Sequence, residues 1–145
     1  MTTRRPLVSI SGTTQELPSG DLLHGQSART VCAAFDGQGS APTAGTKCYV
    51  ICPFAGTITG WRIVGDVTGS AVVDVWKVAY GSNLPTVSNT IAASAKPTLS
   101  SAKINKNDTL TGWTTSVAAD DIFGFNVDSA STLTRITVEL KVTPI

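Results

Sequence analysis

The stretch G-T-I-T-G-W-R-I-V-G-D-V-T-G-S-A-V-V-D-V-W-K-V-A-Y, residues 56–80, decides the fold of this chain. Its local chemistry predicts two strands joined by a tight turn over residues 65–70, because Gly, Asp, Thr and Ser supply the backbone freedom and acceptor groups that turns use. In the second strand Val72, Trp76 and Val78 share one face with Asp74, while Val73, Val75 and Ala79 share the other with Lys77. Side chains alternate across a strand, so both faces here are apolar. Such a strand needs a sheet behind it and a neighbour or a long loop in front.

The flanks read the same way. Residues 28–35 and 46–52 are expected strands, the second stopped by Pro53, which has no N–H to give a ladder. Residues 81–99 are loop-like, with room for one helical turn within 87–93, and residues 100–115 hold one or two short strands. Asp120 and Asp121 open a strand over 122–127 that places Phe123, Phe125 and Val127 on one face. The last strand, residues 133–142, alternates most cleanly. Ile136, Val138, Leu140 and Val142 point one way, and Arg135, Thr137, Glu139 and Lys141 the other.

Seven or eight strands at near-regular spacing predict an all-β, antiparallel β-sandwich. A jelly-roll-like form is preferred, because the long connection over 81–100 suits a crossing between sheets. An immunoglobulin-like sandwich is the alternative, but all three cysteines precede the first Trp. Residues 28–145 form the sandwich domain and residues 1–27 an extended N-terminal arm, in which residues 5–11 alternate weakly and residues 12–21 are polar and turn-rich. An extended segment outside the core, with free backbone groups, is suited to strand addition on another chain. Arg4, Arg5, Leu7, Val8 and Ile10 are its candidate contact residues.

Composition excludes several classes of function. The chain has 145 residues, 14% of them charged, a net charge of +1, 13 Gly and 7 Pro. Nothing in that balance favours a nucleic-acid groove or an acidic membrane surface. No run approaches the ~20 apolar residues of a membrane span. The N-terminus does not lead into a signal-peptide core, so synthesis in a cytoplasm is expected. Cys32, Cys48 and Cys52 are odd in number, and Cys48 and Cys52 stand about 13 Å apart if extended. They are read as small buried hydrophobes, with no disulfide framework and no zinc site.

Catalysis has little to work with. The one histidine, His24, lies in the arm with nothing to complete a triad. The two glutamates are Glu16 and Glu139, and most aspartates lie in turns where backbone chemistry calls for them. Asp120 and Asp121 could touch calcium but read better as a strand-entry turn. No catalytic, cofactor or metal site is expected, and the chain is read as not an enzyme. Trp61 and Trp76 belong to apolar strands, whereas Trp113, flanked by Thr and Gly, is the candidate exposed aromatic for stacking on a sugar.

Five passages carry a family resemblance: Q-E-L-P-S-G-D (15–21), C-P-F-A-G-T-I-T-G-W (52–61), V-D-V-W-K (73–77), K-P-T-L-S (96–100) and F-N-V-D-S-A-S-T-L-T-R-I-T-V-E-L-K-V (125–142). They resemble surface proteins of tailed-bacteriophage virions, in which such modules occur as head-decoration (cement) proteins and in tail fibres. The resemblance implies a homotrimeric β-sandwich on the capsid exterior, made in the host cytoplasm and bound to the major capsid protein. It brings no catalytic residues. A free-standing chain without repeats or a long shaft suits a decoration protein better than a fibre. The alternative is a tail-fibre or receptor-binding module that recognises host-surface glycan through Trp113.

Overall fold

A computed structural model describes residues 6–18 and 27–145. Among the described residues nine strands follow in chain order: β1 (Leu7–Ile10), β2 (Thr13–Glu16), β3 (Arg29–Asp36), β4 (Lys47–Cys52), β5 (Gly56–Val78), β6 (Thr98–Asn107), β7 (Ser116–Val117), β8 (Asp121–Ser131) and β9 (Arg135–Pro144). The helical turn expected within 87–93 is a single 3-10 turn, Val87–Asn89. The fold is all-β and every pairing is antiparallel, as the spacing predicts.

The organising stretch corrects the expectation of a hairpin. Residues 56–78 are one strand of 23 residues with no chain reversal at 65–70. Its first half pairs with β9, from Gly56↔Pro144 to Gly65↔Ile136. Its second half pairs with β8, from Ser70↔Ser131 to Val78↔Ile122. The chain β8–turn–β9 thus runs antiparallel along the whole of β5. Outside it, β3 pairs with β9 and β4 with β8. On the other edge of β5, β6 spans both halves and β7 pairs with residues 56 and 57.

The ribbon therefore folds in its middle into two leaves, one of β3, β9 and the first half of β5, the other of β4, β8 and the second half. Their inward faces meet in a single core that includes Val31, Phe35, Ile63, Val73, Val75, Phe123, Phe125, Ile136, Val138 and Leu140. Phe123 and Phe125 stack with ring centroids 6.5 Å apart. This is the sandwich architecture, jelly-roll-like in that continuous strands carry the chain from one leaf to the other. The expectation that the connection over 81–100 makes the crossing is corrected: β5 and β6 cross, and that connection returns to the edge of β5 through Ile91 N–H to Val75 O (2.9 Å) and Val73 N–H to Pro97 O (2.9 Å).

Bulges keep the apolar side chains inward through the bend. Register shifts fall at Ile58/Gly60, Val64/Gly69, Gly69/Ala71 and Val72/Val73, so Ile58 and Trp61 both reach the core despite their spacing. At Gly69 a Cβ would lie 2.6 Å from Ser131 O and 3.0 Å from Leu133 N, so the two corners touch backbone to backbone only because this residue has no side chain.

The N-terminal arm departs from a single strand followed by a turn-rich passage. β1 and β2 form a hairpin, Leu7↔Glu16 to Ile10↔Thr13, closed at Ser11 and Gly12, both with positive φ (52° and 82°). Two positive φ values in a two-residue loop match the right-handed twist of the strands they join. Among the described residues the hairpin is a two-stranded sheet of its own, without strand pairing to the main sheet.

Candidate functional site

The side chains that could bind or react fall into three polar clusters, a groove and the arm. The first cluster locks the corner. Asp66 accepts from Thr134 N–H (2.9 Å), Thr134 Oγ1–H (2.6 Å) and Arg135 N–H (3.1 Å), tying the bend in β5 to the β8–β9 turn. The Thr134 hydroxyl first, then the backbone N–H groups, hold its carboxyl down at a pKa of about 2.

The second cluster pins the 79–97 connection. Asp74 is fully buried; its Oδ1 accepts from Thr90 Oγ1–H (2.6 Å) and Val75 N–H (2.8 Å). Its Oδ2 meets Lys96 Nζ in an ion contact at 3.0 Å that lacks the alignment of a hydrogen bond. Lys96 Nζ also donates to Asp128 Oδ2 (2.7 Å), and Asn126 Nδ2 donates to Asp128 Oδ1 (2.7 Å). Burial works against the Lys96 ammonium, but the hydrogen bond to Asp128 and the ion contact with Asp74 outweigh it and raise its pKa above the ordinary lysine value. Asp128 is within reach because it is the extra residue of the β8 bulge, between Val127 and Ser129.

The third cluster is the strand-entry turn at Asp120 and Asp121. Asp120 N–H donates to Cys52 O (2.7 Å), and Asp121 Oδ2 accepts from Lys77 Nζ (2.7 Å) and Ala118 N–H (2.8 Å). Asp121 thus faces a lysine and a backbone N–H, an arrangement that closes the end of β8 onto β5. All three clusters are internally matched, acid to base, to hydroxyl or to N–H. Among the described residues no group of three or more His, Cys, Asp or Glu side chains could hold a metal ion. His24 lies outside the described residues.

Trp113 corrects the expectation of an exposed aromatic. It is buried in the core, and its indole N–H donates to Ala95 O (3.0 Å). The 91–95 segment covers it: Thr114 N–H donates to Ile91 O (3.0 Å) and Ala95 N–H to Ala92 O (2.9 Å). Trp61 and Trp76 are buried as expected. The cysteines are corrected in part: Cys52 is buried with its thiol directed at Phe54 O (3.3 Å), Cys48 is half-buried, and Cys32 is exposed on β3. All three are free thiols.

Of the arm residues, Arg4 and Arg5 lie outside the described residues, and Leu7, Val8 and Ile10 stand on β1. Leu7 is exposed and Val8 half-buried, while all four residues of β2 are exposed. Sequence reasoning missed a shallow groove of about 420 Å³ between β5 and β6, lined by Arg62, Ile63, Val64, Ile104, Asn105 and Lys106. Its signal was Ile104, the lone large apolar residue in the polar run S-S-A-K-I-N-K-N (100–107). Val64 and Ile104 are cross-strand partners and both are exposed. Asp108 engages Arg62 (3.3 Å) and Lys106 (3.7 Å), leaving the groove rim weakly basic.

No family model and no curated protein matches the chain. Among solved structures, that of infectious bursal disease virus, Gx strain, is similar at 10% identity and a TM-score of 0.21. The alignment covers 100% of this chain and 42% of the viral one, and a similarity at this level bears on neither fold nor function. No helix among the described residues is long and apolar enough to cross a membrane.

Proposed function

We propose that this chain is a non-enzymatic structural protein of a tailed-phage virion: a head-decoration (cement) protein that acts as a homotrimer on the capsid exterior, binds the major capsid protein and stabilises the head. One observation carries the reading. Among the described residues the N-terminal hairpin is paired only with itself, lies outside the main sheet, and presents an exposed Leu7. Two strands alone are marginal in water, so a receiving surface would stabilise the hairpin as it binds. Strand addition supplies such a surface through main-chain hydrogen bonds. The body supplies rigidity, and its polar clusters are spent on holding the corner and the long connection in place.

Three arms on one trimer would bind multivalently. Each contact can be weak, because the second and third are made at the effective concentration set by the first. The virion resemblance of residues 52–142 supports the same reading. The glycan-binding alternative has no observation in its favour now that Trp113 is buried. The test is removal of residues 1–25: the shortened protein is expected to fold and assemble but to lose attachment to capsids in a co-sedimentation assay. Undiminished attachment would overturn the assignment to the arm.

A further inference from the structure

The outer face of the second leaf is apolar where a solvated sheet face would be polar. Tyr49 and Ile51 stand outward on β4, 41% and 51% exposed. Their neighbours across the leaf are Gly124 and Ile122 on β8, then Trp76 and Val78 on β5. The 79–97 connection crosses this face. A methyl at Gly124 would come within 3.0 Å of Pro85 Cγ and 3.3 Å of both Trp76 Cε3 and Tyr49 Cε1, so Pro85 and Tyr49 meet over that glycine. Around Pro85 the connection presents Tyr80, Leu84 and Val87, which are 67%, 55% and 66% exposed. Five large apolar side chains are therefore exposed on this leaf and on the connection that crosses it.

We infer that this face is the surface through which the chain associates with further copies of itself. With residues of this size presenting roughly 150–250 Å² each when fully exposed, the five leave on the order of 600 Å² open. That is the upper end of what a monomer carries in one patch, about 300–600 Å². With the backbone and small residues between them it approaches the ~800 Å² per partner of a standard interface. Charge selects the occupant. Residues 78–95 contain no Asp, Glu, Lys or Arg, and neither do residues 48–52. The charged residues that flank these runs are Lys47, Lys77 and Lys96: Asp121 neutralises Lys77 at 2.7 Å, Asp128 neutralises Lys96 at 2.7 Å, and Lys47 turns to Gly45 O at 2.9 Å. A charged partner would find only Lys47, at the rim of the face, to act on, whereas an otherwise neutral face can meet its own copy with little like-charge repulsion. Tyrosine-rich, charge-depleted surface is also the composition of interface centres. Gathered about a threefold axis, three such faces would exclude water from one another and leave the arms free.

The inference rests on the self-association in the reading above but not on capsid binding. Its test is the solution mass of the full chain by sedimentation equilibrium at micromolar concentration. Wild type is expected as an assembly, and Ile51→Asp and Val87→Asp as monomers with unchanged circular dichroism. Ile104→Asp, an equally apolar exposed site in the β5–β6 groove, is expected to stay assembled. Val87→Asp lies in a connection outside any strand and decides the matter if Ile51→Asp fails to fold. Retained mass in the folded variants, or dissociation by Ile104→Asp alone, would refute this face while leaving self-association standing. A monomeric wild type would overturn both the face and the homotrimer, and capsid attachment measured on the arm deletion would remain a separate result.

Discussion

Asp66 shows how a single exposed carboxylate can specify a bend. Its two oxygens collect three donors from Thr134 and Arg135, residues that no local reading of G-D-V-T-G-S would bring to it. Because its folded pKa of about 2 lies below the ordinary 3.8, the stability it contributes is present above 3.8 and is lost as pH falls through about 2. Urea denaturation of Asp66→Asn is expected to show a lower midpoint at neutral pH and a shallower decline on acidification across that window than wild type. Lys77 and Asp121 form a different kind of pair, with side chains only 16% and 3% exposed. Removing one partner of so sheltered a pair strands the other, at a cost of about 3 kcal/mol. Lys77→Met should show that loss in chemical denaturation, and Lys141→Met, on the outward face of β9, should show almost none.

At the scale of elements, β5 is a 23-residue strand that turns a corner, and the corner depends on residues too small to obstruct it. Gly69→Ala should cost about 1–3 kcal/mol, since the new methyl is driven against the Ser131 carbonyl and the Leu133 backbone and neither can retreat alone. A melting curve measures this directly. The same corner marks how far the sequence could be read. β9 was legible because its inward Ile136, Val138, Leu140 and Val142 are apolar and its outward Arg135, Thr137, Glu139 and Lys141 are polar. The bend was not, because the residues that permit a reversal also permit a bulged strand. The choice is made by pairing with residues 131–144, far along the chain. Trp113 was misread for a related reason: its Thr and Gly neighbours signal exposure, but the 91–95 segment that buries it comes from elsewhere. The apolar outer face left a readable trace, the uncharged run of residues 78–95, although only the register of β4, β8 and β5 joins it to Tyr49 and Ile51.

For the whole molecule, the body and the hairpin divide the work. The body holds the core and all three polar clusters, while among the described residues the hairpin pairs with no strand of the body. Deleting residues 1–25 should therefore leave the melting temperature of the body within a degree or two of wild type, since surface segments away from the core contribute little. A large fall would mean that the hairpin is part of the body's stability and not an appendage to it. The pairing of β5 with β8 and β9 has a further consequence, in time. On the edge it shares with β8 and β9, Gly56 is matched to Pro144 and Val78 to Ile122, so that edge of the central strand is complete only once residue 144 has been made. Contacts of such long sequence separation close slowly. On the ribosome the growing polypeptide must wait, with Trp61 and Ile63 lacking their β9 neighbours, until β9 emerges from the exit tunnel.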